Sequence, residues 1–320
     1  MTRRTPVSVI GGYLGAGKTT LVNHLLRHAR GLRLAILVND FGTLPIDADL
    51  IEAKSDDLIS IAGGCICCSF GSDLMGALMK LSQRDPPPEH VLIETSGVAM
   101  PGVVGRSAAL IASFSIDSVV VLADAETVRS RANDRYMGDT ITRQLGEADL
   151  VILNKTDLVA ADELNTLRAW MASQAPHARA IEAVRAAVPI DVMFGHDQTH
   201  SPLGVSGALS SGAIEPIKDA AARYESASFT PDQSLDVEQL ARALARPECG
   251  LIRAKGVLRD VDGSLKTLHL VGARFEVTPF VGSGEVSSGL ACIGLRGQFA
   301  RGEIERSVAQ AIAADARGNP

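Results

Sequence analysis

The chain has 320 residues, 46% of them hydrophobic but only 4% aromatic, enough to bury one sizeable core and a second smaller one, both aliphatic. The formal net charge is −6 and no basic run exceeds a few residues, which excludes a nucleic-acid surface. No apolar run approaches a membrane span, and the opening MTRRTPVSVIGG lacks the long apolar stretch and cleavage site of a secretory signal, so a cytoplasmic protein with reduced thiols is expected.

From Pro6 to about Gly195, short aliphatic runs alternate with helical patterns. The runs VSVI (7–10), LAILVND (34–40), HVLIETSG (90–97), DSVVVLAD (117–124) and LVILNKTD (150–157) are continuous rather than alternating. Such runs suit strands buried on both faces. With helices between them they predict an α/β fold, a doubly wound, mostly parallel sheet.

The first run leads into GGYLGAGKTT, which contains Gly12-x-x-x-x-Gly17-Lys18-Thr19, a P-loop pattern between a predicted strand and a predicted helix. Its glycines let backbone N–H groups close around a phosphate chain. Gly12, Gly15, Ala16, Gly17, Lys18, Thr19 and Thr20 form the expected cradle. Lys18 reaches the β- and γ-phosphates, and the Thr19 hydroxyl binds Mg²⁺. In the helix that follows, Leu21, Val22, Leu25 and Leu26 share one face. His24 and His28, four apart on it, can in principle bind metal; near a helix end they read as solvated surface.

The second run opens into VNDFGTLPID, which offers Asn39, Asp40 and Asp47 in a loop. These carboxylates suit either ordinary turn chemistry or a response to the γ-phosphate.

IAGGCICCSFGSDL (61–74) then holds Cys65, Cys67 and Cys68, three of the chain's 5 cysteines. A redox pair, a structural zinc clip and an exchangeable metal site compete here. A closed structural zinc site wants four protein ligands. This motif supplies at most three, and no second Cys-x-x-Cys completes it. In an extended segment Cys65 and Cys67 face one way and Cys68 the other; Gly63 and Gly64 permit the bend that brings them together. Clustered thiolates favour Zn²⁺, Co²⁺ or Cu(I), and an incomplete shell suits a metal that must leave. A reactive Cys-Cys pair stays open as the redox alternative.

Farther on, IETSG places Glu94 at a strand end, where a carboxylate can hold the Mg²⁺ shell or orient water. Gly97 lets the backbone approach the γ-phosphate. NKTD at the end of the fifth run supplies base recognition. Asp157 can accept from guanine N1–H and N2–H₂, whereas adenine offers no donor at either place. Asn154 suits the O6/N7 edge, and the Lys155 stem suits the ring face.

Residues 196–222 are rich in Gly, Ser and Pro and read as a linker between a nucleotide domain (1–195) and a smaller C-terminal α+β domain (223–320). In the latter, 235–245 is helical, with Asp236 and Gln239 as a capping pair. Strands follow, with Asp262-Gly263 as a hairpin turn. Ile304, Val308, Ala311 and Ile312 give a last apolar helical face. Cys249 and Cys292 stand alone as buried small residues.

GGYLGAGKTT, VNDFGTLPID, GGCICCSF, IETSG and LNKTDL, in that order, resemble the CobW-type metallochaperone GTPases, relatives of the nickel-handling HypB and UreG proteins. LIRAKGVL…LHLVG and ACIGLRG resemble that family's C-terminal domain. The resemblance implies a P-loop NTPase fold and GTP hydrolysis with Mg²⁺, coupled to delivery of zinc or cobalt to a client metalloprotein. Cys65, Cys67 and Cys68 would be the metal ligands, and the resemblance leaves room for a homodimer. Two features depart from the pattern. Asp40 stands where the family has Glu, and only His196 and His200 stand where many members carry a histidine-rich stretch. A GTP-dependent switch with negligible turnover, and a phosphotransferase with structural cysteines, are the alternative readings.

Overall fold

The structure is a computed structural model describing residues 4–29, 32–40, 58–62, 70–195, 222–282 and 288–315. The chain divides into two compact units, Met1–Val188 and Pro189–Pro320. Up to residue 221, the expected linker lies outside the described residues.

The first unit runs β1 (Thr5–Gly11), α1 (Lys18–His28), β2 (Leu34–Asp40), β3 (Leu58–Ala62), α2 (Phe70–Ser82), β4 (His90–Glu94), α3 (Pro101–Ala109), β5 (Phe114–Asp124), α4 (Val128–Ala132), α5 (Gly138–Gly146), β6 (Leu150–Asn154), α6 (Ala161–Gln174) and β7 (Arg179–Ala183). Its seven strands lie in the order β3-β2-β4-β1-β5-β6-β7, every neighbouring pair parallel. Successive strand residues face opposite ways, yet Val7, Val9 and Ile10 in β1 and Val91, Leu92 and Ile93 in β4 are all buried. Both faces are therefore covered, which is why these segments are continuously aliphatic. On one face Val9, Leu37 and Ile93 meet Leu74 and Leu78 of α2 and Val104 of α3. Farther along, Val121, Ala123 and Leu153 meet Ile141 and Leu145 of α5 and Leu167 and Met171 of α6.

The five sequence-predicted strands are present. The edge strands β3 and β7 were not expected. An edge strand pairs on one side only, and β7 buries just Ile181 and Ala183 of its five residues, so it lacks a continuous apolar run. Polar residues inside the sheet are mutually satisfied: Ser8 Oγ donates to Asp117 Oδ2 at 3.0 Å and lies 2.9 Å from His90 Nε2.

α1 buries Leu21, Val22 and Leu25. Its histidines are not a solvated pair. The His24 ring donates through Nε2 to the Val188 carbonyl at 2.9 Å, and His28 Nδ1 lies 2.6 Å from the His24 carbonyl, with the two ring centroids 4.4 Å apart. Burial first, then the nearby His28 and Arg27, hold the His24 imidazole below the usual histidine range, against the opposing pull of the Val188 bond. A lowered folded-state pKa means that the unfolded chain takes the proton first as pH falls. The contribution is thus complete above about pH 6.5 and is lost below it. His24→Gln should show a shallower drop in melting temperature than the parent chain between about pH 7.5 and about pH 5.5. Parallel curves would contradict this.

The second unit comprises α7 (Ile190–Phe194), β8 (Tyr224–Phe229), α8 (Val237–Leu244), β9 (Leu251–Arg259), β10 (Leu265–Val271), β11 (Arg274–Pro279), β12 (Gly289–Leu295) and α9 (Arg301–Asp315). Its antiparallel sheet has the order β11-β10-β9-β12-β8. Leu251, Leu258, Leu268 and Leu290 form a core with Leu240 and Leu244 of α8 and Ile304 of α9. The Asp236 carboxylate accepts from Gln239 N at 2.8 Å and caps α8, worth about 1 kcal/mol. Between β9 and β10, Gly263 takes φ +80° and Asp262 accepts from Ser264 N at 2.8 Å. Cys249 and Cys292 are buried. Desolvation pushes the Cys292 thiol up to about 12, leaving it protonated and inert.

Candidate functional site

β1 lies between β4 and β5, so the chain turns toward both sides of the sheet from this strand. The crevice outside its carboxyl end is where such sheets bind ligands. The loop Gly12–Gly17 fills that position and leads straight into α1. Gly12 has φ +125°, and a Cβ there would stand 2.3 Å from the Leu122 carbonyl oxygen. Gly17, the N-cap of α1, has φ +103°, and a Cβ would stand 2.5 Å from Asn154 Nδ2. Neither position tolerates a side chain. The N-cap residue Gly17 has no side chain to cap α1, and helix N-terminal amides of this kind are suited to an anion. Ala16 N donates to Tyr13 O at 3.2 Å, and Lys18 Nζ reaches the same carbonyl at 3.4 Å. Thr20 is exposed.

Glu94 ends β4, in register with Ile10 of β1. Its carboxylate is only 2% exposed and accepts from the Thr19 hydroxyl at 2.9 Å. A P-loop hydroxyl and a strand-end carboxylate are therefore joined, which is the donor set of a hard cation such as Mg²⁺. Gly97 lies against the same loop: a Cβ there would come within 2.7 Å of Leu14 Cγ and 2.8 Å of Leu14 N. Gln144 of α5 holds that turn by donating to Gly97 O at 3.1 Å and Ala99 O at 2.8 Å.

On the other side of β1, Asn154 ends β6 beside Asp124, the last residue of β5. The Asn154 amide donates to Ala16 O at 2.9 Å, while its oxygen accepts from Ala186 N at 2.8 Å. A carboxamide retains a second N–H and a second lone pair beyond these two bonds. Lys155 takes a left-handed φ of 63°, and its ammonium meets Asp124 Oδ2 at 2.7 Å. Asp157 is exposed and has no partner among the described residues. Next to Asn154, Arg185 and Ala186 are consecutive non-glycine residues at φ 51° and 53°. Such conformations cost of order 1–3 kcal/mol each and collect at ligand clamps.

The backbone of Asp40 ends β2 opposite Ala62 of β3, on the same sheet edge as Glu94. The Asp40 side chain, Asp47, Cys65, Cys67 and Cys68 lie outside the described residues. Among the described residues no three His, Cys, Asp or Glu side chains form a metal cluster.

Asp124, Arg185, Ala186 and Gln144 escaped the sequence reading. Asp124 had a usable signal, a carboxylate closing an aliphatic run. Arg185 and Ala186 had none, because no glycine marks their left-handed turn.

A zinc chaperone CobW from a Sinorhizobium species is 33% identical over 227 residues, 60% of this chain and 62% of that protein. The zinc chaperone YjiA of Escherichia coli K12 is 31% identical over 179 residues, 53% of this chain and 55% of that protein. The chain thus spans about three fifths or less of these relatives' own length. A crystal structure of Zn(II)-bound YjiA GTPase from E. coli aligns over 97% of this chain and 99% of that chain, at 22% identity and a TM-score of 0.44. The pattern of the CobW/HypB/UreG nucleotide-binding domain matches residues 6–182, more than half of the chain, and the chain belongs to that family.

Proposed function

We propose that this chain is a cytoplasmic GTPase (GTP + H₂O → GDP + phosphate) whose nucleotide state controls a thiolate metal site. Its cargo is zinc, or cobalt, handed to a client metalloprotein. The observation that carries the reading is the Thr19–Glu94 hydrogen bond beneath a loop whose Gly12 and Gly17 leave space no side chain can share. Gly12, Gly15, Ala16, Gly17, Lys18 and Thr20 line the phosphate path. Thr19 and Glu94 hold Mg²⁺, which when bound neutralises charge on the terminal phosphates. Asn154, Lys155 and the exposed Asp157 read guanine. Gly97, Asp40 and Asp47 sense the γ-phosphate, with Glu94 orienting the attacking water.

Cys65, Cys67 and Cys68 follow directly on β3, whose end shares the sheet edge of Glu94 and β2. Ordering the segment after β2 with GTP holds these thiolates in ligand geometry; hydrolysis releases them and gives the transfer its direction. The names of the relatives, zinc chaperones, favour zinc. A homodimer is compatible with the scheme. The nucleotide domain is assigned to 1–195 and the C-terminal α+β domain to 223–320, with the intervening segment as linker, although residues 189–195 group with the second compact unit.

A competition titration against a metal-binding dye tests the coupling. Mg²⁺–GTP should raise Zn²⁺ affinity over Mg²⁺–GDP by roughly 5–150-fold, the usual span of coupling between two sites, and Zn²⁺ should tighten GTP binding equally. Identical Zn²⁺ affinities with GTP, GDP and no nucleotide would sink the coupled mechanism. Full affinity in Cys67→Ser would remove the cysteine cluster from it.

A further inference from the structure

Arg131 of α4 is 117 residues from Leu14 in sequence, yet its Nη1 donates to the Leu14 carbonyl at 2.8 Å. The guanidinium carbon lies 5.3 Å from the centroid of the Tyr13 ring, and the Tyr13 hydroxyl donates to Met137 Sδ at 2.6 Å. Two consecutive P-loop residues are thus gripped from the segment 131–137. Arg131 is half-buried and has no carboxylate partner among the described residues.

Leu14 sits at the γ-phosphate end of the loop on two independent contacts. Lys18 Nζ meets the carbonyl of the preceding Tyr13 at 3.4 Å. Gly97, at the turn after Glu94, closes on Leu14 so tightly that a Cβ would fall 2.8 Å from Leu14 N.

A trans peptide is planar, so its C=O and the following N–H point in opposite directions. Pinning Leu14 O to Arg131 therefore turns the Gly15 N–H away from Arg131. Gly15 has φ +80° and open space around the position of a Cβ, so its own sterics do not fix this peptide. Its N–H donates to no backbone carbonyl among the described residues. If the peptide flipped, the Leu14 carbonyl would face the phosphates and repel them.

We propose that Arg131 is a positioning residue for the phosphate cradle: by holding the Leu14 carbonyl outward, it aims the Gly15 amide at the γ-phosphate end of the bound nucleotide. This rests on the GTPase reading of the loop. A pre-aimed donor counts most where negative charge builds in the transition state, and loss of one such donor costs roughly 10²–10³-fold in kcat. Losing Arg131 only lets the donor turn away for part of the time, so the expected loss is smaller.

The full chain is compared with Arg131→Ala and Arg131→Lys in two measurements: GTP turnover with Mg²⁺, and amide hydrogen exchange of residues 12–18 without nucleotide. Arg131→Ala should lower kcat about tenfold while KM stays within about threefold. It should also speed exchange in 12–18 and leave β6 unchanged. Arg131→Lys, which keeps one donor, should recover part of both. A kcat equal to the parent's, a rise in KM with kcat unaltered, or unchanged exchange across 12–18 would each overturn the assignment. If the parent chain turns over no GTP, the GTPase reading fails by itself and the exchange measurement decides the role of Arg131 alone.

Discussion

Lys18→Ala is expected to abolish tight binding of Mg²⁺–GTP while the fold survives. The Lys18 ammonium is nearly buried, 7% exposed, at the mouth of α1. Its bond to the Tyr13 carbonyl is long, at 3.4 Å, and a thermal melt of the variant reads what the fold loses with it. What the nucleotide loses is large. A hydrogen bond to a charged group contributes about 1.5–3 kcal/mol. Two of them, one to each terminal phosphate, amount to roughly 10²–10⁴-fold in affinity. Loop amides cannot replace an ammonium in this, because they bring no net charge. Calorimetric GTP titration beside a thermal melt separates the two effects. Unchanged GTP turnover in the variant would end the P-loop reading.

Asp157→Asn should exchange GTP for xanthosine triphosphate as the preferred ligand. In the proposed site the carboxylate accepts from two guanine donors; an asparagine amide would present a donor where xanthine carries a carbonyl. Sites built to hydrogen-bond one edge reject the mismatched partner by roughly 10⁴-fold or more, and a change of that order in relative affinity is expected. Asp157 is exposed and has no partner among the described residues, so the substitution should shift stability by no more than about 0.5 kcal/mol. Competition binding with GTP, ATP and xanthosine triphosphate reads the outcome. A parent chain that binds ATP and GTP equally would refute the base assignment.

How much of this was legible depended on whether a residue's reason lies near it in sequence. The inner strands announce themselves because burial on both faces forces Val, Ile and Leu into unbroken runs. β3 and β7 pair on one side only and carry no such run. The phosphate loop is readable because its backbone needs glycine at Gly12 and Gly17, where contacts of 2.3 and 2.5 Å forbid a Cβ. The left-handed turn at Arg185 and Ala186 is invisible for the converse reason: the fold imposes it on side chains that resist it. Asn154 and Lys155 were recognised by their motif, but their partners Ala16, Ala186 and Asp124 lie at or after the ends of other strands that only the sheet order brings together. His24 looked like surface because helix spacing says nothing of the Val188 carbonyl arriving from far along the chain.

The two bonds of Asn154 carry a kinetic consequence. One side chain ties Ala16 in the phosphate loop to Ala186 in the turn beside the residues proposed to read guanine. Under the GTP reading, loosening at the base end withdraws support from the phosphate end as well. The ligand then cannot linger half-released, held by its phosphates while its base swings free. Nucleotide release is then expected to follow a single exponential, with base and phosphates leaving together.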